Sequence, residues 1–118
     1  MLKVHVKKLD AVEVLCLEGQ IVNGDTDTLR SVVQSASNAT DIRLDLSNVS
    51  VVDAHGLGVL LQLREQTFAR GVHFELVNVS ESLYKIFEIT RLHTVFEISP
   101  DIQLLPKMPY SPFVLLAA

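Results

Sequence analysis

The chain has 118 residues, a formal net charge of −4, an apolar content of 48% and a single cysteine. A chain of this length forms one domain that buries roughly two-thirds of the surface its unfolded form exposes. The acidic balance, without any basic cluster, argues against nucleic acid or an anionic membrane as a partner. Cys16 cannot form an internal disulfide, and its place in an apolar run predicts a buried core thiol.

Targeting and catalytic signals are missing from the sequence. The first six residues do not resemble a secretory signal, because no continuous apolar stretch follows Lys3. No apolar run approaches the ~20 residues of a membrane span, so we expect a cytoplasmic protein without membrane insertion. We expect no metal, no cofactor and no enzymatic activity, because a phosphate-binding P-loop is lacking and the histidines fall on separate predicted elements without ligand spacing. These histidines are His5, His55, His73 and His93.

The first third of the chain predicts a β-hairpin followed by a helix. Residues 2–7 alternate between apolar and polar side chains, which is typical of an edge strand, and residues 12–17 continue as a second strand that ends at Gly19. After a bend, Asp25 or Thr26 is placed to cap a helix. Its predicted inward side chains are Leu29, Val32, Val33 and Ala36.

The middle of the chain predicts a strand, a loop and a helix. Ile42, Leu44 and Leu46 alternate as in a buried strand, and the polar residues 47–50 predict a loop after it. Asp53 is a favourable N-cap for a helix whose apolar residues then recur three and four apart. Helix-start amides attract anions, and the glycines at 56 and 58 permit close approach of another backbone.

The last third predicts two further strands around a short helix, followed by a tail. Gly71 is a helix stop signal, residues 72–77 and 95–98 read as strands, and a helix begins at Ser80 with Leu83, Ile86, Phe87 and residues 89–92 on its inner side. The resulting fold is α/β, a mixed sheet of about four to five strands packed against three or more helices. We expect the domain to cover residues 1–99 and a proline-broken apolar tail to cover residues 100–118.

Five short motifs, in order, carry a resemblance to a known family. They are Gly19-Gln-Ile-Val22, Asp53-Ala-His-Gly-Leu-Gly58, Arg70-Gly-Val72, Val77-Asn-Val-Ser80 and Phe87-Glu-Ile-Thr-Arg-Leu92. Their order and spacing over about residues 2–98 resemble the STAS domain of bacterial anti-sigma-factor antagonists. The resemblance implies a regulatory module that binds a kinase-like anti-sigma factor and frees a sigma factor for transcription. It places the partner-binding surface on Asp53, Ala54, His55, Gly56, Leu57 and Gly58.

The chain departs from the family at the position that matters most for regulation. Ala54 occupies the place of the family's phosphorylated serine, and alanine has no hydroxyl group to accept phosphate. Gln20 and Val22 also replace the acidic pair of the earlier family motif. The expected site is therefore a docking surface without the family's phosphorylation switch, and His55, Ser47 and Ser50 are only weak alternative acceptors.

Two interpretations stay open for the function, and two for the tail. The chain is either an antagonist fixed in its binding-competent form or a STAS scaffold in a larger assembly, such as a stressosome-like complex or a lipid-transport ABC system. The tail after Pro106 either packs on its own sheet or helix, or clasps a second subunit in a homodimer.

Overall fold

The computed structural model of the chain describes residues 1–36 and 38–100. Within this part, five strands and three α-helices alternate after an N-terminal hairpin, which confirms the predicted α/β class. A 3₁₀ turn, Leu92–Thr94, precedes the last strand. The elements are β1 (Lys3–Leu9), β2 (Val12–Ile21), α1 (Asp27–Ser35), β3 (Asp41–Val52), α2 (Ala54–Ala69), β4 (His73–Val79), α3 (Glu81–Ile89) and β5 (Glu97–Pro100).

The strands form one sheet whose spatial order, β1-β2-β3-β4-β5, follows the chain. Strands β1 and β2 are antiparallel, whereas β2 to β5 are parallel to one another. Each parallel pair is joined by one helix, and right-handed crossovers between neighbouring strands place all three helices on the same face of the sheet. The carboxyl ends of β2, β3 and β4 therefore meet at one edge, where each strand leads into a helix.

The core lies between this helical layer and the sheet. Ile42, Leu44 and Leu46 of β3 are fully buried, as their alternation predicted, while Arg43 between them is exposed. The helices cover them with Leu29 and Val33 from α1, Leu57, Leu60 and Leu63 from α2, and Leu83 and Phe87 from α3. Apolar burial of this extent is the main source of folding free energy for a domain of this size.

Two strands run further than the sequence pattern indicated. β2 continues through Gly19 to Ile21, and β3 includes the polar residues 47–50, which were expected to form a loop. The two segments pair with each other, with register shifts between Cys16 and Glu18 and between Gly19 and Gln20. Gly19 accommodates this irregular pairing with a positive φ of 122°. The expected end of β2 at Gly19 and the expected loop after Leu46 are therefore wrong.

Smaller differences concern individual side chains. Cys16 is half-buried and not fully buried, because it points away from the helical layer, as its register partner Asp45 does. Ile89 is 82% exposed although it was expected to face inward. Val95 and Phe96 precede β5 and do not belong to it. The predicted caps at Thr26 and Ser80 are in place, although the Thr26 side chain makes no capping hydrogen bond.

The amino ends of β3, β4 and β5 are linked by an ionic network. His73 lies between two carboxylates, with its Nδ1 2.9 Å from Asp41 Oδ1 and its Nε2 against Glu97 Oε2. The side-chain hydrogen bond with Glu97, aided by Asp41 and opposed by desolvation, raises the pKa of His73 above its ordinary value. The protonated imidazole therefore ties three adjacent strands together at the edge opposite to the strand-to-helix loops.

In the described ranges, no helix is long and apolar enough to cross a membrane. The tail predicted over residues 100–118 lies outside the described part except for Pro100, the last residue of β5, so both tail alternatives stay predictions.

The His73 network makes folding stability depend on pH. Because the pKa of folded His73 is raised, its contribution is fully present below the unfolded pKa of about 6.5 and is lost as pH rises through the folded value. Urea unfolding of wild type and His73→Gln at pH 5.5 and pH 9 measures this contribution. We expect wild type to be the more stable at pH 5.5, by at most about 1 kcal/mol because the pair is partly exposed, and the advantage to shrink at pH 9. An advantage that is constant or grows between these pH values would contradict the role assigned to His73.

Candidate functional site

The predicted site lies at the carboxyl edge of the sheet, where β3 leads into α2. Asp53 is the N-cap of α2, as its sequence position predicted, and its Oδ1 accepts a hydrogen bond from the Gly56 amide at 2.7 Å. Its Oδ2 accepts a second hydrogen bond, at 3.1 Å, from the amide of Asn23 in the loop between β2 and α1. One carboxylate therefore joins two loops that are 30 residues apart in the chain.

Asp53 is held in its charged form by these contacts. The hydrogen bond from Gly56, followed by that from Asn23, lowers the pKa of the carboxyl group below its ordinary value. The negative charge lies at the positive end of the helix dipole and occupies the Gly56 amide. A bound phosphate or nucleotide would have to compete with this carboxylate, so the helix start is not a free anion site.

Gly56 is required for the close contact between the start of α2 and the end of β2. A Cβ atom at this position would lie 1.9 Å from the carbonyl oxygen of Ile21, the last residue of β2. The same carbonyl accepts a hydrogen bond from the Asp53 amide at 3.3 Å. The expected close backbone approach at Gly56 is therefore present within this chain.

Gly58 differs from Gly56 in its surroundings. A Cβ atom at Gly58 would meet nothing within 4 Å, and the residue lies within α2. The predicted backbone approach at Gly58 is thus not made by any described residue of this chain. Glycine is unfavourable within a helix, and the described structure contains no contact that requires it here.

The six predicted docking residues divide into two groups. Ala54 and His55 are exposed and Gly58 is half-exposed, so these three form a surface on the first turns of α2. Gly56 and Leu57 are buried and support that surface from beneath, and Asp53 fixes its position through the hydrogen bonds described above. We refer to residues 53–58 as the helix-start segment.

Ser47 and Ser50, the two weak alternative phosphate acceptors, lie within β3 before the helix-start segment. Both are exposed, and the Ser50 hydroxyl donates a hydrogen bond to the Gly19 carbonyl at 3.4 Å. The Ser47 amide donates to Asp45 Oδ1 at 2.9 Å. Both serines therefore have local structural contacts, and their role as acceptors stays a prediction.

The β2–α1 loop was missed as part of the site. Asn23 and Gly24 were interpreted only as a bend, yet both are exposed next to the Asp53 carboxylate. Gly24 has a positive φ of 92°, which glycine adopts readily. The available signal in the sequence was that Asn23, a typical turn residue, is followed by Gly24 after a strand. This pattern does not show that the turn contacts Asp53.

Potential metal ligands are not clustered in the part of the chain that the structure describes. Across residues 1–36 and 38–100, no group of three or more His, Cys, Asp or Glu side chains is arranged to hold a metal ion. The surface on the first turns of α2 offers a methyl group, an imidazole and bare backbone.

Comparison with known proteins decides the family. The sequence profile of the STAS domain matches residues 3–105. This chain belongs to the STAS family. It is 35% identical over 68 residues to the anti-sigma-B factor antagonist of Bacillus subtilis (strain 168), a match that covers 58% of this chain and 62% of that protein. The resemblance found from the sequence motifs is thereby confirmed.

Solved STAS structures share the fold of this chain. The crystal structure of an anti-sigma factor antagonist from Mycobacterium paratuberculosis superimposes with a TM-score of 0.73 at 21% identity, covering 87% of this chain and 89% of that one. A sulfate transporter family protein from Wolinella succinogenes gives a TM-score of 0.72 at 23% identity, covering 80% and 81%. At these identities the likeness concerns the fold, which occurs in proteins with different names.

The two glycines of the STAS helix-start segment are expected to respond oppositely to alanine. Gly56→Ala should destabilise the domain by about 1–3 kcal/mol, because its Cβ overlaps the Ile21 carbonyl and the backbone must shift. Gly58→Ala should stabilise it by about 0.5–1 kcal/mol, because a helical glycine is replaced without a clash. The free energies of unfolding of wild type and both variants, measured with a chemical denaturant, check this prediction. Each variant is the control for the other. Equal effects of the same sign would contradict the assigned environments.

Asp53 should make stability fall on acidification. Its folded pKa is lowered, so its contribution is present above the unfolded carboxyl pKa of about 3.9 and is lost as pH falls through the folded value. Asp53→Asn retains a capping oxygen without the charge. We expect the free energy of unfolding of wild type to exceed that of the variant at pH 6, with a smaller difference at pH 3. The same difference at both pH values would show that the charge contributes nothing.

Proposed function

We propose that this STAS domain binds a kinase-type anti-sigma factor in the cytoplasm through the helix-start segment and thereby frees a sigma factor for transcription. The observation that supports the proposal is that Ala54 and His55 are exposed at the carboxyl edge of the sheet. They directly follow Asp53, whose carboxylate is held by two hydrogen bonds. A relative with 35% identity over 68 residues is named as an anti-sigma-B factor antagonist. The match spans 62% of the length of that relative, which is less than two thirds. The activity of the relative is therefore part of what we propose for this chain.

The docking surface extends beyond the helix-start segment. The Asn23 amide donates a hydrogen bond to the Asp53 carboxylate, so the β2–α1 loop contacts the residue before Ala54, and Asn23 and Gly24 in this loop are exposed. A partner that covers the first turns of α2 would also contact this loop. The proposed surface is therefore composed of residues 23–24 and the exposed members of the helix-start segment.

Alanine at position 54 changes how such a complex would be controlled. A phosphate at this position would add close to two negative charges to the docking surface, and the methyl group cannot carry one. The proposed docking surface is therefore always uncharged at residue 54 and always able to bind there. Its regulation would come from the amount of protein or from the partner and not from phosphorylation of residue 54.

A second candidate function is that of a STAS scaffold in a larger assembly, of the stressosome-like or lipid-transport type. It is supported by the similar fold of a protein that is named as a sulfate transporter family protein, since one fold can serve different functions. In that case the working surface need not include Ala54. The two candidates are separated by which proteins bind and by whether charge at position 54 matters.

A charge placed at position 54 tests the docking surface. Ala54→Asp should weaken binding at least about tenfold, because the carboxylate would be desolvated against a surface that fits a methyl group. The fold should be retained, since an acidic residue is favourable in the first turn of a helix. The control is Ala69→Asp, the same substitution at an exposed residue roughly 22 Å away along α2.

The measurement is affinity capture from an extract of the source cells, with bound proteins identified by mass, using wild type and both variants. Capture of a protein with a kinase-type ATP-binding domain by wild type and Ala69→Asp, but not by Ala54→Asp, is the expected result. Equal capture of such a protein by all three forms would place its binding surface elsewhere. Capture of transport or scaffold proteins instead would support the second candidate.

A further inference from the structure

An apolar groove lies at the opposite end of α2 from the proposed docking surface. Its apolar lining consists of Phe68 near the carboxyl end of α2, Val72 just before β4, Phe74 of β4 and Val95 before β5. Arg64 and Glu97 are among its polar lining residues. It encloses about 200 Å³. We call it the Phe68 groove.

The Phe68 groove is lined in part by exposed apolar side chains. Phe68 is 75% exposed and Val95 is 37% exposed, whereas Phe74, which also lines the groove, is buried. The Arg64 guanidinium lies 5.9 Å from the centre of the Phe68 ring and covers only one of its faces. Adjacent exposed apolar side chains of this kind mark a surface that another segment covers.

A segment suited to cover it follows directly in the sequence. β5 begins at Glu97, on the groove rim, and ends at Pro100, so only roughly 10 Å of strand separates the groove from the start of residues 101–118. Residues 113–116 are Phe-Val-Leu-Leu, four consecutive apolar side chains without charge. The twelve connecting residues, 101–112, can span up to ~40 Å, which is ample for the return.

We infer that residues 113–116 pack into the Phe68 groove of the same chain. The short connection holds this apolar segment at an effective concentration in the millimolar range beside the groove, which favours it over a second copy in dilute solution. The groove borders the amino ends of β4 and β5, whereas the docking surface lies at the carboxyl end of β3. The 16 residues of α2, about 24 Å in length, separate them, so packing of the segment leaves the docking surface accessible.

The test is nuclear magnetic resonance of the full 118-residue chain, which needs no binding partner. We expect cross-peaks between the Phe68 ring and the methyl groups of Val114, Leu115 or Leu116. Phe68→Ser should shift these methyl resonances towards the positions of an unstructured peptide and lower the melting temperature. Ile89→Ser is the matched control, because Ile89 is also an exposed apolar helix residue, at 82%, but does not line the groove.

Each outcome decides the inference. The inference would be overturned if the methyl resonances of residues 114–116 were already those of an unstructured peptide in wild type, or if they responded equally to both serine variants. A sample that mixes isotope-labelled and unlabelled chains distinguishes the source of the contact. Cross-peaks that arise only between different chains would assign the groove to a second copy and refute packing within one chain. The result is independent of whether an anti-sigma factor binds the helix-start segment.

Discussion

The Asp53 carboxylate is the contact on which the proposed docking surface depends. Its two oxygens accept from Gly56 in the first turn of α2 and from Asn23 in the β2–α1 loop, so they link the start of α2 to the loop that follows β2. The close packing that this requires is possible only because residue 56 has no side chain in front of the Ile21 carbonyl. Ala54 and His55 therefore follow directly on a residue held by two hydrogen bonds, and in the proposed complex this ordering in the free chain would reduce the conformational entropy lost on binding.

The fold could be predicted wherever the burial pattern follows one regular period. Ile42, Leu44 and Leu46 alternate because one face of β3 is covered by helices, and this part of the strand was predicted correctly. The second half of β3 could not be predicted in the same way. Register shifts against β2 change the spacing of its buried residues from two to three, at Leu46, Val49 and Val52, and the polar residues between them resemble a loop.

The site was predictable only where side-chain chemistry leaves a local signal. An aspartate three residues before a glycine at the start of an apolar helical pattern indicates an N-cap, and Asp53 has that role. The contribution of Asn23 left no such signal, because its backbone amide makes the contact and almost every residue has one. Ile89 shows the same limit for packing, since its apolar character indicated burial, whereas it lies roughly 200° around α3 from the buried Phe87.

The charge and size of the exposed surface constrain how the proposed complex would form. Asp53 directs its charge inward to two amides, so the exposed part of the helix-start segment offers a methyl group, an imidazole and the bare backbone of Gly58. This surface permits close approach, but it is far smaller than the roughly 800 Å² that each partner contributes to a stable protein interface. The remaining contact area must come from neighbouring exposed positions, such as Gly24 and the outer face of α2 at Gln62. In the proposed complex, residue 54 would determine whether a charge is tolerated at the interface, and the residues around it would select the partner.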